Sequence, residues 1–314
     1  MNLKYGVFFF LVVTAVSCRG KIDNTTNLKI IGPDKVTKVP ASSPIRHMMV
    51  GLATDKKGIF CSGTKIGKNS ILTAAHCFKG SDLKNPAKEI RPRAIISPEE
   101  TAYAVWNGGQ DLTDSAGDLR KYVIGNVVLK KNTKGQIWMI PPKPDLAVVC
   151  VASSFPDEMK NLDLASFEGA YEPKALIGRS YTYFGLGANN PDGSGRGVLR
   201  KGTGKSQKEV LNNNLEPGDE VWVRDSGGFW QELFNPNRPP VGACAADSGG
   251  PVFLSDSGTL AGVLSRGGCG EGEKLGGAQK ESISFSSLDR SEGGISWIRD
   301  AIKKCSEIPE RESK

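Results

Sequence analysis

Ser248 lies in a block of residues whose types suit nucleophilic chemistry. It follows Asp247 and precedes two glycines, a proline and an apolar run. A serine hydroxyl attacks a carbonyl poorly until a base takes its proton, and it needs backbone N–H groups that hold the developing oxyanion. Glycines allow the chain to turn closely beside a substrate. The block therefore predicts that Ser248 is the nucleophile of an acyl-transfer reaction.

The base for such a serine would come from one of the two histidines of the chain, His47 and His76. His76 ends a segment in which a turn separates two apolar runs, and Cys61 and Cys77 flank that segment. A disulfide between these cysteines would hold the imidazole in place, as a general base requires. His47 has no such frame and is predicted to be an ordinary strand residue. We therefore expect His76 to be the base.

A histidine base needs a carboxylate that orients it and stabilises its charged form. Asp145 is the best candidate between His76 and Ser248, because it directly precedes the apolar run Leu146–Val151. The order histidine, aspartate, serine is one of several orders in which such triads occur along a chain. We therefore predict a triad of His76, Asp145 and Ser248.

Other acidic and serine residues are less suitable. Asp111, Asp114 and Asp118 lie in a polar, turn-like stretch and are expected at the surface. Residues 225–228 repeat the sequence Asp-Ser-Gly-Gly, but they separate two strand-like runs and are typical of a hairpin turn. We therefore do not expect Ser226 to be the nucleophile.

These blocks resemble the motifs of the chymotrypsin- and trypsin-like serine peptidases. The resemblance is carried by Thr73–Cys77 with the preceding residues 61–64, by residues 244–254, and by residues 145–151. It extends over about residues 30–305, and it is also specific at 262–269, which resemble the strand beside the primary specificity pocket. It implies a secreted serine endopeptidase, of bacterial type, that acts as a monomer on proteins or peptides. The family forms an acyl-enzyme and needs no metal or organic cofactor.

The resemblance also implies roles for residues around the triad. The N–H groups of Ala246 and Ser248 would form the oxyanion hole, and Ser265 would donate a hydrogen bond to Asp145. The family normally has glycine at the position of Ala246, and a Cβ there could strain the backbone. This departure leaves open a catalytically silent binding protein on the same scaffold. An esterase that uses the same triad is a second alternative.

Activation and specificity follow from the same family pattern. Cleavage after Lys29 would free the amino group of Ile30, which would pair with Asp247 and shape the oxyanion hole. Pro33 departs from the usual glycine, so the alternative that Ile30 simply opens a strand stays open. The primary pocket would be formed by three small residues and lacks an acid that could compensate a cationic side chain, which favours apolar or aromatic residues. These pocket residues are Gly242, Ala243 and Gly267.

The chain has seven cysteines, and six of them could form three disulfides. The resemblance implies the pairs Cys61–Cys77 and Cys244–Cys269, which leaves Cys150 for Cys305. Sequence alone does not establish this connectivity. The odd cysteine is Cys18.

The N-terminal residues 1–17 have a positive end and a short apolar core, as signal peptides do. Cys18 follows this core and resembles the lipidated cysteine of bacterial lipoproteins, although ordinary cleavage that removes it stays an alternative. We expect residues 18–29 to be a linker or propeptide, 30–305 the peptidase domain and 306–314 a polar tail. The protein would then be secreted or periplasmic, or held at the cell envelope through Cys18.

The remaining sequence predicts many short strands. Glycine is frequent, with 38 residues, and short apolar runs alternate with turn residues. Only residues 293–305 have helical periodicity. We therefore expect an all-β fold of two packed six-stranded antiparallel β-barrels, over about 30–155 and 156–292, with a C-terminal helix. The net charge of +7 comes without a cluster of basic and aromatic residues, so no nucleic-acid partner is expected.

Overall fold

A computed structural model describes residues 37–79, 91–92, 100–113, 119–130, 145–164, 176, 178–188, 194–206, 220–224, 246–266, 282–287 and 294–309. The strands are β1 (Thr37–Lys38), β2 (Met49–Thr54), β3 (Gly58–Gly67), β4 (Ser70–Thr73), β5 (Phe78–Lys79), β6 (Arg91–Pro92), β7 (Ala102–Trp106), β8 (Arg120–Leu129), β9 (Ala147–Val151), β10 (Ser180–Gly185), β11 (Arg200–Ser206), β12 (Glu220–Arg224), β13 (Pro251–Leu254), β14 (Leu260–Arg266) and β15 (Ser282–Ser287). Two 3-10 helices cover Pro44–His47 and Ala75–Cys77, and helix α1 covers Gly294–Ser306.

The first barrel is closed by six antiparallel strands in the order β2, β3, β4, β9, β8 and β7. Its core is apolar because the strands present β-branched and other apolar side chains to the interior. Strand β9 is buried along its whole length, with Val148 and Val149 at 0 % exposure. Closure leaves no free edge among these six strands.

The second barrel is built mainly by the strands that follow residue 180. β10 pairs with β11 and β13, β13 with β14, β14 with β15, and β15 with β12. Because β12 also pairs with β11, these six strands form a ring of antiparallel pairs. Strand β1 precedes the first barrel in sequence but pairs with β11 of the second. The predicted all-β architecture is confirmed.

Helix α1 packs against the first barrel. Ile298, Ala301 and Cys305 are buried on one face, as the apolar spacing predicts. Cys305 is bonded to Cys150 in strand β9, which confirms this predicted disulfide. The side-chain amide of Asn69 donates a 2.8 Å hydrogen bond to the carbonyl of Cys305 and so satisfies a carbonyl near the helix C-terminus. In the part of the chain that the structure describes, no helix is long and apolar enough to cross a membrane.

The predictions made from the sequence for His47 and Asp111 are wrong. His47 ends a 3-10 helix and precedes strand β2, because Pro44 sets a backbone angle that favours a helical turn. Asp111 is not a free surface residue: it forms ion pairs with Lys38 at 2.6 Å and with the buried Arg46 at 2.9 Å. Burial favours a higher pKa for Asp111, but the hydrogen bonds from these two cations outweigh it and hold the pKa below its usual value.

Candidate active site

His76 is presented by the short 3-10 helix that follows strand β4. The Cys61–Cys77 disulfide, which the sequence predicted, joins this helix to strand β3 directly beside the imidazole. The neighbours Ala75 and Cys77 are buried, whereas the His76 side chain is 22 % exposed. The backbone is therefore anchored on both sides of a ring that still reaches solvent.

Asp145 binds His76 at two points. Its Oδ1 accepts a 2.7 Å hydrogen bond from the backbone N–H of His76, and its Oδ2 lies 2.6 Å from Nδ1 of the ring. Since a carboxylate can only accept, the contact places a proton on Nδ1, and in the neutral ring the lone pair is then on Nε2. Asp145 is fully buried and lies two residues before strand β9, whose pairing with β4 brings it to His76.

Ser265 contributes a third hydrogen bond to the same carboxylate. Its hydroxyl donates to Oδ2 of Asp145 at 2.5 Å, and the serine is only 2 % exposed. Ser265 lies near the end of strand β14 in the second barrel, 120 positions from Asp145. The site therefore spans the junction of the two barrels.

Ser248 lies in the turn that precedes strand β13. Its carbonyl accepts a 2.8 Å hydrogen bond from the N–H of Ser62 and lies 4.0 Å from the Sγ of Cys77. Because Cys77 is disulfide-bonded and has no thiol proton, the second contact is a packing contact. Ser248 is half-buried, and the turn brings it beside the residue that follows His76.

Gly249 shows how closely this turn packs on the first barrel. Its φ is +89°, and a Cβ at this position would lie 2.1 Å from both the carbonyl oxygen of Ser62 and the Oγ1 of Thr73. Its N–H donates to the carbonyl of Leu264, next to Ser265. Only glycine combines this angle with this approach.

Ala246, the residue that replaces the usual glycine, has a φ of +78°. Among the described residues it is the only one other than glycine with a positive φ. The left-handed region costs an alanine about 1–2 kcal/mol, because Cβ approaches the following carbonyl oxygen. The expected strain is therefore present, and the chain holds Ala246 in the conformation that a glycine would adopt without cost.

Asp247 is buried, with 1 % exposure, and its Oδ1 accepts a 2.7 Å hydrogen bond from the N–H of Gly187. Cβ atoms at Gly185 and Gly187 would lie 2.1 Å and 2.5 Å from the Asp247 carboxyl group. Two glycines are thus required to admit this carboxyl group between strand β10 and the turn that carries Ser248.

One group of potential metal ligands occurs in the described part of the chain: Cys61, His76 and Cys77, with ligand atoms within 4.8 Å of one another. The two sulfurs are bonded to each other, so neither is available as a thiolate. The imidazole also donates its Nδ1 proton to Asp145. These three residues therefore fit a histidine base whose backbone is held in place by a disulfide.

Several predicted site residues lie outside the described residues. These are the activation residues Lys29 and Ile30, the pocket residues Gly242, Ala243 and Gly267, the cysteines Cys18, Cys244 and Cys269, and the serine Ser226. Their assigned roles stay predictions.

Ser62 and Thr73 belong to sequence motifs that assign no role to either residue. Both side chains are completely buried at the site. Thr73 donates a 2.7 Å hydrogen bond to the carbonyl of Ser62, and the hydroxyl of Ser62 donates to the carbonyl of Ala246, 184 positions away. No local sequence pattern predicts a contact between residues so far apart. The small polar residues near the histidine block were the one feature of the sequence that could have pointed to it.

Comparison with known proteins agrees with this geometry. The family model described as Trypsin matches residues 36–287. Human heparin binding protein superposes with a TM-score of 0.55 at 16 % identity, covering 87 % of this chain and 96 % of that protein. Mouse neuropsin, a serine protease expressed in the limbic system of the brain, superposes with a TM-score of 0.53 at 18 % identity, covering 86 % and 99 %. No curated protein sequence matches. Since the family match covers most of its length, the chain belongs to the trypsin family.

Proposed function

We propose that this chain is a secreted serine endopeptidase whose triad is His76, Asp145 and Ser248. The observation that carries the proposal is the pair of contacts between Asp145 and His76, at 2.6 and 2.7 Å, beside a turn that presents Ser248. The trypsin family consists in general of serine peptidases, which act on proteins or peptides. The geometry supports the same chemistry in this member.

In the proposed reaction the Nε2 of His76 takes the proton of the Ser248 hydroxyl as its oxygen attacks a peptide carbonyl. Asp145 holds the ring through Nδ1 and stabilises the imidazolium that forms. The imidazolium then gives its proton to the leaving amine, and the acyl group stays on Ser248. Water, deprotonated by His76, hydrolyses the ester and regenerates the serine.

The negative oxygen of each tetrahedral intermediate would be held by the N–H groups of Ala246 and Ser248. Such donors act most strongly when they are oriented before the reaction begins. The turn that carries them is tied to the first barrel by the contacts of Ser62 and to strand β14 by Gly249. These ties support an oxyanion hole that needs little reorganisation.

The primary pocket is proposed to be formed by Gly242, Ala243 and Gly267. None of these residues offers a negative charge, so a buried lysine or arginine of the substrate would have no counter-ion. We therefore propose apolar or aromatic residues before the scissile bond. A panel of peptide anilides that differ only at this residue measures the preference, and a higher kcat/KM for arginine than for phenylalanine would exclude it.

Activation is proposed to follow cleavage between Lys29 and Ile30. The buried Asp247 carboxylate would be the partner of the new amino group, and Gly185 and Gly187 keep side chains away from it. If Cys18 is lipidated, the same cleavage would release the chain from Ile30 onward from the envelope. Lys29→Gln should block both activation and release, whereas unchanged activity of this variant would argue against the switch.

A catalytically silent binding protein is the second candidate, and the strained Ala246 is the observation that favours it. Turnover tests the two candidates directly. The purified chain, before and after limited trypsin treatment, is assayed on a denatured protein substrate, on peptide anilides and on the matching esters, beside Ser248→Ala. Peptide hydrolysis lost only in the variant supports the endopeptidase. Turnover of esters alone would indicate an esterase, and no turnover in any state a binding protein.

A further inference from the structure

The strained conformation of Ala246 raises the question of what holds it. An alanine released from neighbouring contacts would leave the left-handed region, because that region costs about 1–2 kcal/mol. Ala246 is buried, and its carbonyl accepts a 2.8 Å hydrogen bond from the hydroxyl of Ser62. This contact fixes the peptide unit that follows Ala246 and so restrains the backbone rotation that would take Ala246 out of the left-handed region.

The hydroxyl of Ser62 is itself fixed. Its oxygen accepts a 3.0 Å hydrogen bond from the N–H of Leu186, so its single proton is directed to Ala246. Ser62 is completely buried, and water cannot replace either contact without a rearrangement. The serine therefore links strand β3 to two loops of the second barrel through one oxygen atom.

The backbone of Ser62 supports the same turn from the other side. Its N–H donates to the carbonyl of Ser248 at 2.8 Å, and its carbonyl accepts from Thr73 at 2.7 Å. Two of the three polar groups of this residue thus contact the proposed oxyanion donors: the hydroxyl contacts Ala246 and the N–H contacts Ser248.

We propose that Ser62 is a positioning residue that compensates for the alanine at 246: its hydroxyl holds Ala246 in the left-handed conformation that the oxyanion hole requires. The proposal rests on the proposed endopeptidase function for its kinetic consequence only. The two residues form a dependent pair, in which an alanine at 246 requires the hydroxyl at 62. A glycine at 246 would adopt the same angle without help.

The test is a double-mutant cycle of Ser62→Ala, Ala246→Gly and the combined variant. We expect Ser62→Ala to lower kcat by about 10- to 100-fold, because one oxyanion donor is worth about 100- to 1000-fold, with KM within about two-fold. In the Ala246→Gly background the same change should lower kcat by less than about three-fold. Ser70→Ala removes another completely buried serine hydroxyl, in strand β4, and should leave both constants unchanged.

Crystal structures of the four proteins provide a readout that needs no activity. Residue 246 should leave the left-handed region in Ser62→Ala and should keep a positive φ in the combined variant. If φ stays near +78° in Ser62→Ala, the proposal is wrong, whatever the rates. If the two changes lower kcat independently, it is wrong as well. An inactive wild type would refute the endopeptidase function, and the angle would still decide the role of Ser62.

Discussion

The carboxylate of Asp145, two residues before a first-barrel strand, accepts a 2.5 Å hydrogen bond from the hydroxyl of Ser265, in a second-barrel strand. The same Oδ2 atom lies 2.6 Å from Nδ1 of His76. The orientation of the imidazole therefore depends on both barrels, and a change in their packing would reach the proposed catalytic geometry through this carboxylate.

Asp145→Asn should lower kcat by about 10⁴-fold, the effect of this substitution in a serine peptidase triad, with a small change in KM. An amide can donate to Nδ1, so the ring proton would move to Nε2, where a free lone pair is needed. Steady-state kinetics on a peptide anilide measures the change. Ser265→Ala is the matched comparison. It leaves both contacts between Asp145 and His76 in place and should lower kcat by about ten-fold or less. Equal losses in the two variants would contradict the assigned roles.

Gly249→Ala should abolish activity and lower the free energy of unfolding by more than about 3 kcal/mol, because the added Cβ overlaps Ser62 and Thr73 and the φ of +89° is unfavourable. Gly258→Ala separates these effects. Gly258 has a φ of +68° but no atom within 4 Å of its Cβ position, so only the cost of the angle, about 1 kcal/mol, is expected. Urea unfolding measures both variants, and similar losses would show that the close packing at Gly249 has no special effect.

Sequence motifs predicted those elements whose structure is determined by residues close to one another in the sequence. The apolar run Leu146–Val151 contains strand β9, and the C-terminal helix and the two described disulfides are as predicted. The contacts expected between Ser265, Asp145 and His76 are present, although the catalytic roles of these residues stay predictions. Such elements carry continuous apolar runs or cysteines, so their patterns survive in a single sequence.

Other elements could not be predicted because their patterns are weak. Strand β11 contains two lysines and two glycines, and β15 is rich in serine; both are strands through their pairing with neighbours in the second barrel. The ion pair of Asp111 with Arg46 joins positions 65 apart. The link between Ser62 and Ala246 is longer still. Tertiary contacts of this kind decide structure without a local signal.

We expect Lys65 to make the stability of the protein vary with pH in the alkaline range. Its side chain is buried, donates a 2.5 Å hydrogen bond to the carbonyl of Met159 and lies 5.7 Å from the ring centre of Phe155. Burial lowers the pKa of Lys65, and the nearby charge of Asp157 only partly opposes this. The unfolded chain therefore binds the proton more tightly than the folded chain, so stability rises with pH until the ordinary lysine value of 10.5.

The measurement compares wild type with Lys65→Met by urea unfolding between pH 7 and 10.5. The difference in the free energy of unfolding between the two proteins should shift in favour of wild type as the pH rises towards 10.5. It should not change with pH below the lowered pKa of Lys65. Comparing the two proteins at each pH cancels the other titrating groups. A difference that does not vary with pH would show that the proton of Lys65 is bound equally in both states.

The two described disulfides should have different consequences. The Cys150–Cys305 bond spans 155 positions, and its loss in a double alanine variant should cost about 5 kcal/mol of stability while the folded protein keeps its activity. The Cys61–Cys77 bond spans 16 positions, should cost about 3 kcal/mol, and should also lower kcat because it holds the backbone beside His76. Thermal unfolding and kinetics at low temperature separate these effects, and equal retention of activity would argue against the second role.

Labelling by a fluorophosphonate probe tests the nucleophile most directly, because the probe reacts with a serine only where a base and an oxyanion hole activate it. Wild type, Ser248→Ala and Ser226→Ala are compared before and after limited tryptic cleavage at Lys29. We expect labelling after cleavage in wild type and in Ser226→Ala, and none in Ser248→Ala. Labelling that persists in Ser248→Ala, or a cleaved wild type that is never labelled, would contradict the account.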